Sequence, residues 1–433
     1  MRNRNIYYLI VSLLLVLILA SCRKEPMEYN NPNNRVCKNF SQQFEAVWQG
    51  MNQGYMFWDR DTVDWDARYE QYRPIFAEFD TRPANRPVSY EEYQRAYTGL
   101  FEGLLDHHLT GHFFNGKGRF DAYVSPGVND YAHYTDRAKQ LSILKDMAVP
   151  NTYLGCEPAN YGSDLDIPGS YFCLLRGNND GERIAYFRFT SFNFQTLYAY
   201  RNALPNRVSA QAPIKALYGP RYNEGITAEA GYANNDSVVG IIIDVRGNGG
   251  GNLGDITPLI GALSQQPTLL GYTRVKEGLG RLDYSAWTKF YINTPSLHLL
   301  KEKPIVVLAD INSASCAELT VLLIKNLPNG TFIGERTYGA TCALWPNTDA
   351  QHDIFYNGCF GDYEYWQNGA YKYDGTFFYY VYTSTFDMVD VNYQSIEGAG
   401  VQPDIEVGYS ASRLEKGHDD QLERAIRYIK LGH

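Results

Sequence analysis

The chain has 433 residues, 44% of them hydrophobic and 20% charged, and a formal charge of −9. An acidic chain with no basic run lacks the electrostatic footprint of a nucleic-acid binder. Its length sets a soft prior of about two or three domains, and its apolar share is ample for a packed core.

At the N-terminus Arg2 and Arg4 precede Leu9 to Leu19, a run that is apolar except for Ser12. The run falls short of the about 20 apolar residues that span a bilayer and has the length of a signal-peptide core. It ends in Leu19-Ala20-Ser21-Cys22, which resembles the lipobox of bacterial lipoproteins. The resemblance implies a signal peptide over 1–21, lipidation of Cys22, and a cell-envelope protein that meets the membrane through its lipid anchor only. An ordinary secretory signal followed by a chance cysteine is the other reading. Residues 22–35, polar and rich in Asn and Pro, read as a flexible tether. Loss of 1–21 removes Arg2 and Arg4 and takes the formal charge from −9 to −11. The remaining cysteines (Cys37, Cys156, Cys173, Cys316, Cys342 and Cys359) show no CxxC spacing. A zinc site is therefore not expected, while disulfide pairing stays open.

Residues 36–120 read as an N-terminal helical domain. Phe40, Phe44, Val47, Trp48 and Met51 recur at spacings of three and four, which makes one apolar stripe. Ser89-Tyr90-Glu91-Glu92 is a capping box, and Tyr93, Ala96, Tyr97, Leu100, Phe101 and Leu104 follow as a buried helical face. Residues 121–182 are mixed and punctuated by Gly, Pro and Asn, with room for a small β-rich module but no PDZ signature. From 183 to 410 strands alternate with helical segments. Ile184–Phe189, Val238–Asp244 and Ile305–Ala309 are the strands, and a helix is expected over Ser315–Lys325. The last two are continuous apolar runs, as expected for strands buried on both faces. The expectation is an α/β fold, a largely parallel sheet flanked by helices, beside the N-terminal helical domain. Tyr371–Phe378 reads as a hairpin around Asp374-Gly375, and 411–433 as a C-terminal helix.

Two strand-to-loop junctions carry the chemistry. Asp244-Val245-Arg246-Gly247-Asn248-Gly249-Gly250-Gly251-Asn252 lies at the carboxyl end of a buried strand, where open α/β sheets bind ligands. Its glycines permit a sharp turn and close backbone approach. It lacks the Lys-Ser/Thr of a phosphate loop, and a tight turn alone would explain it. Asn312-Ser313-Ala314-Ser315-Cys316-Ala317-Glu318 places a serine where a strand feeds a helix, with the next backbone N–H available to an oxyanion. Ser315-x-x-Glu318 is also a capping box, so Ser315 has a purely structural alternative.

Together, D-x-R-x-N-x-G-G at 244–251 and N-x-A-S-x-x-E at 312–318 resemble the signature pair of the tail-specific, or C-terminal processing, protease family. The resemblance continues through Gly334-Glu335-Arg336-Thr337-Tyr338-Gly339 and closes on Gly400-Val401-Gln402-Pro403-Asp404-Ile405. It implies that family's crotonase-like core, with Ser315 as nucleophile and Gly250 and Cys316 as oxyanion N–H donors. The Ser–Lys members carry their base where this chain has Ala340, which cannot accept a proton. Leu104-Leu105-Asp106-His107-His108 contains the L-x-D-x-H pattern of the tricorn-core-like Ser–His branch. That pattern assigns the base to His108, with His107 and His112 as competitors, and the acidic partner to Glu397. Cys316, a thiol at a helix start, is the alternative nucleophile. Asp244, Arg246 and Asn248 are expected to hold the glycine loop. The aromatic stretch from Tyr363 to Tyr382 reads either as groove lining or as core.

What the resemblance implies is a serine-type endopeptidase acting on peptides or unfolded proteins, with no metal or organic cofactor. The competing function is a non-catalytic protein that binds a peptide or apolar ligand on the same fold. Substrate preference and oligomeric state are not legible in the sequence.

Overall fold

The structure is a computed structural model describing residues 37–115, 119–123, 136–160, 166–194, 207–219, 231–278, 280–295, 298–342, 359–361 and 377–432. Cys22, the segment before it and the expected Asp374-Gly375 turn lie outside the described residues.

Three helices open it, each started by a side-chain cap. Asn39 accepts from Gln42 N–H at the start of α1 (Phe40–Gly54), and Asp64 from Ala67 N–H at the start of α2 (Trp65–Thr81). Ser89 and Glu92 complete both halves of the capping box of α3 (Tyr90–Phe101), satisfying N–H groups that no helical turn can reach. Phe44, Val47, Met51, Tyr93, Tyr97 and Phe101 are buried, as their spacing predicts.

The helical reading of 36–120 is corrected at its end. Helix stops at Phe101, and β1 (Thr110–Asn115) pairs antiparallel with β2 (Arg119–Tyr123). Farther on come α4 (Arg137–Met147), β3 (Leu154–Cys156), β4 (Ala159–Asn160), β5 (Asp166–Ile167), β6 (Ser170–Arg176) and β7 (Arg183–Phe189). Of the expected small β module only the two-stranded β4–β5 pair is found among the described residues, and β6 and β3 already belong to the central sheet. That sheet therefore starts upstream of 183. Next are α5 (Arg207–Tyr218), β8 (Val238–Asp244), α6 (Ile256–Leu259), β9 (Thr268–Arg274), β10 (Thr288–Ile292), β11 (Ile305–Ala309) and α7 (Cys316–Lys325). The chain ends through β12 (Gly330–Gly334), β13 (Cys359–Gly361), β14 (Phe377–Tyr382), β15 (Asp387–Asp390), β16 (Ile405–Glu406), α8 (Ala411–Leu414) and α9 (Asp420–Leu431).

The central sheet runs β16-β12-β11-β8-β7-β6-β3. The pairs from β16 to β7 are parallel, and β7/β6 and β6/β3 are antiparallel. Side chains alternate across it, so one strand feeds two cores. Ile241, Ile243 and Val307 pack with Leu319 and Leu323 of α7. Ile242, Val306 and Leu308 pack with Leu422, Ala425 and Ile429 of α9 on the other face. This two-sided burial is why those strands are continuously apolar.

A second sheet, β13-β14-β1-β2, joins the N-terminal helices to the C-terminal third of the chain. Within the aromatic stretch, Tyr379 and Tyr380 of β14 are buried and Phe377 packs edge-on against Phe40 at 4.8 Å. The described part of the stretch is thus core. His112 sits on β1 opposite Tyr380, its ring stacked on that tyrosine at 6.1 Å.

Candidate active site

β8 and β11 are parallel neighbours, so their carboxyl-end loops emerge side by side. Asp244 and Arg246 brace the first loop. Arg246 meets Asp244 at 2.6 Å and Asp419, the N-cap of α9, at 2.8 Å, all fully buried. Burial opposes the Asp244 charge, yet the Arg188 and Arg246 guanidiniums hold its pKa down at about 2. Asn248 donates to Phe189 O at 3.0 Å and accepts from Gly250 N–H at 2.9 Å. These three residues hold the loop, as expected from the sequence.

The loop then presses on the serine turn. Gly250 has φ +95°, and a Cβ built there would lie 2.6 Å from Ser315 Cβ and 3.0 Å from Cys316 N. Ser315 has φ 55° and ψ −120°, a conformation costly for any residue with a Cβ. Such strain persists only where the surroundings over-determine it, and here they do. Glu318 accepts from Ser315 N–H at 3.0 Å, Thr337 Oγ1 at 2.5 Å, and the Gly339 and Ala340 N–H groups at 2.7 Å each. Burial pushes the Glu318 carboxyl up to about 7 even though these four donors favour its charge. Of the expected capping box the glutamate half is made, Ser315 N–H to Glu318, and that glutamate also ties the serine turn to the 337–340 segment. Sequence reasoning assigned Glu318 only the cap.

One expected detail is corrected. Gly250 N–H is committed to Asn248 Oδ1, which removes it as an oxyanion donor in this structure. The Cys316 thiol donates to Gly251 O at 3.2 Å, which fastens the helix start to the loop. Burial pushes that thiol up to about 12, so it is not an activated thiolate.

The histidine segment arrives from the N-terminal half and is pinned by two carboxylates. Glu397 accepts from His107 N–H at 3.0 Å through Oε1, and through Oε2 from Thr341 N–H at 3.0 Å and Cys342 N–H at 3.1 Å. Asp106 accepts from His108 N–H at 2.8 Å and from Ser384 N–H at 2.7 Å and Oγ at 2.9 Å. Ligand-capable atoms of Asp106, His108 and Glu397 all lie within 4.8 Å of one another. Burial raises Asp106 to about 6. Burial, then the nearby Asp106 charge, raises Glu397 well above the carboxylate range. Burial, helped by His107, lowers His108 to about 4, so its imidazole is neutral at ordinary pH. His107 is lowered too, by burial, and its ring meets Tyr338 edge-on at 5.1 Å.

A continuous polar chain joins the two halves. It runs from Ser315 N–H through Glu318 to Ala340 N–H, and from the adjacent Thr341 N–H through Glu397 to His107 N–H. Tyr338 N–H donates to Ser313 O at 3.0 Å alongside it. Ala340, at the position of the missing lysine, is 2% exposed and serves this chain with its backbone. Asp106 is the residue sequence reasoning passed over. It stood inside the L-x-D-x-H pattern, but nothing in the sequence announced its bonds to Ser384.

Residues 183–407 match the profile of Peptidase family S41. The chain belongs to family S41. Among solved structures, a candidate peptidase from Parabacteroides merdae aligns with a TM-score of 0.56 at 20% identity, covering 92% of this chain and 98% of that one. Mature CPAF complexed with lactacystin aligns with a TM-score of 0.55 at 12% identity, over 92% and 98%. At such identities the likeness speaks for the fold alone. The nisin-resistance protein of Lactococcus lactis is 33% identical over 112 residues, which are 24% of this chain and 34% of that protein. The chain thus spans about a third of the length of that curated relative. Family S41 membership covers both strand-to-loop junctions and Glu397, while the histidine segment lies outside the matched residues.

The fit of Gly250 against Ser315 is directly testable. Gly250→Ala puts a methyl group against backbone at Ala314 O, 2.9 Å away, on a residue with φ +95°. The expected outcome is a loss of about 1–3 kcal/mol in unfolding free energy, read by urea titration. Fluorophosphonate reactivity should fall with it, because the serine turn has to move.

Proposed function

We propose that this chain is a serine-type endopeptidase that hydrolyses peptide bonds of extracytoplasmic proteins or peptides through an acyl-enzyme on Ser315. The observation that carries the reading is the over-determined turn: a strained Ser315 packed on Gly250 and tied through Glu318 and Glu397 to the His107–His108 segment. In this reading neutral His108 takes the hydroxyl proton as Ser315 attacks the peptide carbonyl, then returns it to the leaving amine. Cys316 N–H, at the start of α7, remains the donor to the oxyanion, without the expected Gly250 N–H. Asp106 and Glu397 orient the histidine segment. The test is fluorophosphonate labelling of the purified protein with mapping of the modified residue. Label on Ser315 supports the reading. A protein that never labels and cleaves no unfolded substrate at any pH instead binds a peptide or apolar ligand on the same fold.

The placement in the cell is part of the proposal. Cys22 at the end of the apolar leader supports a lipid anchor and an envelope location. Cys22→Ser is expected to leave the chain unprocessed or to release it from the membrane fraction. Acyl-chain labelling that persists in the variant would overturn the anchor.

A further inference from the structure

We propose that Asp106, His108 and Glu397 form a regulatory site for a divalent transition-metal ion, with Zn²⁺ the best match, and that its occupation switches the peptidase off. The inference rests on the reading of His108 as the base. It starts from an unsatisfied atom. His108 Nδ1 is buried and has no hydrogen-bond partner, an uncommon state for a buried polar group that calls for an explanation. Two carboxylates stand beside that ring, with ligand-capable atoms of all three residues within 4.8 Å of one another.

The donor set is suited to a cation. Glu397 Oε1 accepts one N–H, from His107, and Asp106 Oδ2 accepts one, from Ser384. A carboxylate oxygen has two lone-pair directions, so each keeps one for another partner. A divalent ion would displace the protons that burial favours on the two carboxylates, and the two negative charges so exposed balance it. One nitrogen and two oxygens with an open fourth position are a zinc pattern. An imidazole among three donors disfavours Ca²⁺ and Mg²⁺, which prefer oxygen throughout. Zinc bonds of about 2.0–2.2 Å require the three side chains to draw in by about 1 Å. His108, unlike the two carboxylates, is only partly buried, so the site is reachable from its side.

Inhibition follows from the chemistry of the ring. A neutral imidazole has one nitrogen that carries the proton and one that accepts. With a metal on the accepting nitrogen the other holds the proton, and neither can take the hydroxyl proton of Ser315. Only coordinate bonds to the ion form, any carboxyl protons leave to solvent, and removal of the ion restores the base.

The experiment uses the full chain stripped with EDTA. Zn²⁺ titration is followed by calorimetry in Ser315→Ala, which keeps the three ligands, and by fluorophosphonate labelling in the unmodified protein. One ion per chain, and labelling suppressed by Zn²⁺ and restored by EDTA, are the expected results. Asp106→Asn and Glu397→Gln keep a carbonyl oxygen for one of the two N–H-accepting sides of each carboxylate and should each weaken binding on the order of tenfold or more. His418→Ala, at an exposed His–Glu pair elsewhere on the surface, should bind as before. If either carboxamide variant unfolds by circular dichroism, His108→Gln at its partly exposed position supplies the same comparison. Absent binding, or binding unchanged in the folded ligand variants, overturns the site. A protein that binds Zn²⁺ through these ligands yet never labels keeps the metal site and loses the peptidase reading. A protein that labels fully in saturating Zn²⁺ keeps the peptidase and loses the metal switch.

Discussion

Ser315→Ala and His108→Ala are each expected to drop peptide hydrolysis to one common floor, about four orders of magnitude or more below the unmodified enzyme, with the double variant no lower. Groups that act as one unit fail together, so the second substitution has nothing left to remove. Ser315→Ala should leave folding nearly intact. The φ of 55° strains alanine as it strains serine, and the Glu318 bond to residue 315 is made by the backbone N–H. His108 also touches its surroundings through its backbone N–H, to Asp106, and that bond survives in alanine. Steady-state hydrolysis of an unfolded substrate, with fluorophosphonate labelling as the second readout, checks the pair. Full activity in His108→Ala would keep the serine and discard this base, leaving His107 as the histidine bonded nearest to Glu397. Activity that survives in Ser315→Ala would remove the acyl-enzyme altogether.

What could be read in advance follows from the range of each interaction. Local signals held: the Ser89–Glu92 box, the apolar stripe of α1 and the two-sided strands β8 and β11 all stand where spacing put them. The strand β1 was read as helix because its partner β14 lies more than 250 residues on, where no local periodicity reports it. The candidate site divides in the same way. Ser315 and the glycine loop sit on consecutive motif residues at a sheet edge, and the motifs gave them. The bonds that decide their chemistry are long-range. Asn248 taking Gly250 N–H, Ser384 holding Asp106, and Glu318 and Glu397 sharing the 339–342 backbone depend on how loops meet. Glu318 shows the limit best. Its spacing from Ser315 announced a helix cap, but a cap needs one acceptor and this carboxylate serves four donors. The absence of a lysine at 340 was legible. That its replacement is 2% exposed and holds the same strap through its backbone was not.

The acid limb of the pH–rate profile should lie near pH 4, well below the about 6.5 of an unperturbed histidine. Burial, with a smaller contribution from the charge of His107, lowers His108 to about 4. The base must be neutral to accept the serine proton. The rate is therefore fully present from neutral pH downward and is lost as pH falls through the lowered value. The carboxylates beside it would oppose this if both stayed ionised, because a negative charge supports an imidazolium. They do not stay so. Burial lifts Asp106 to about 6 and raises Glu397 well above the carboxylate range, so protons reach the pair before they reach the ring. Asp106→Asn, neutral at every pH, should accordingly leave the limb in place or move it lower. Ala340→Lys should not restore His108→Ala, since a lysine base needs a site that lowers its own pKa, and the raised carboxylates nearby would hold its proton on whenever they ionise. The profile is measured as kcat/KM, which reports the free enzyme, with circular dichroism at each pH to show that the fold persists. A limb at 6.5 or above in folded protein would mean that His108 faces ionised carboxylates in solution, and the base held neutral well below that pH would have to be given up.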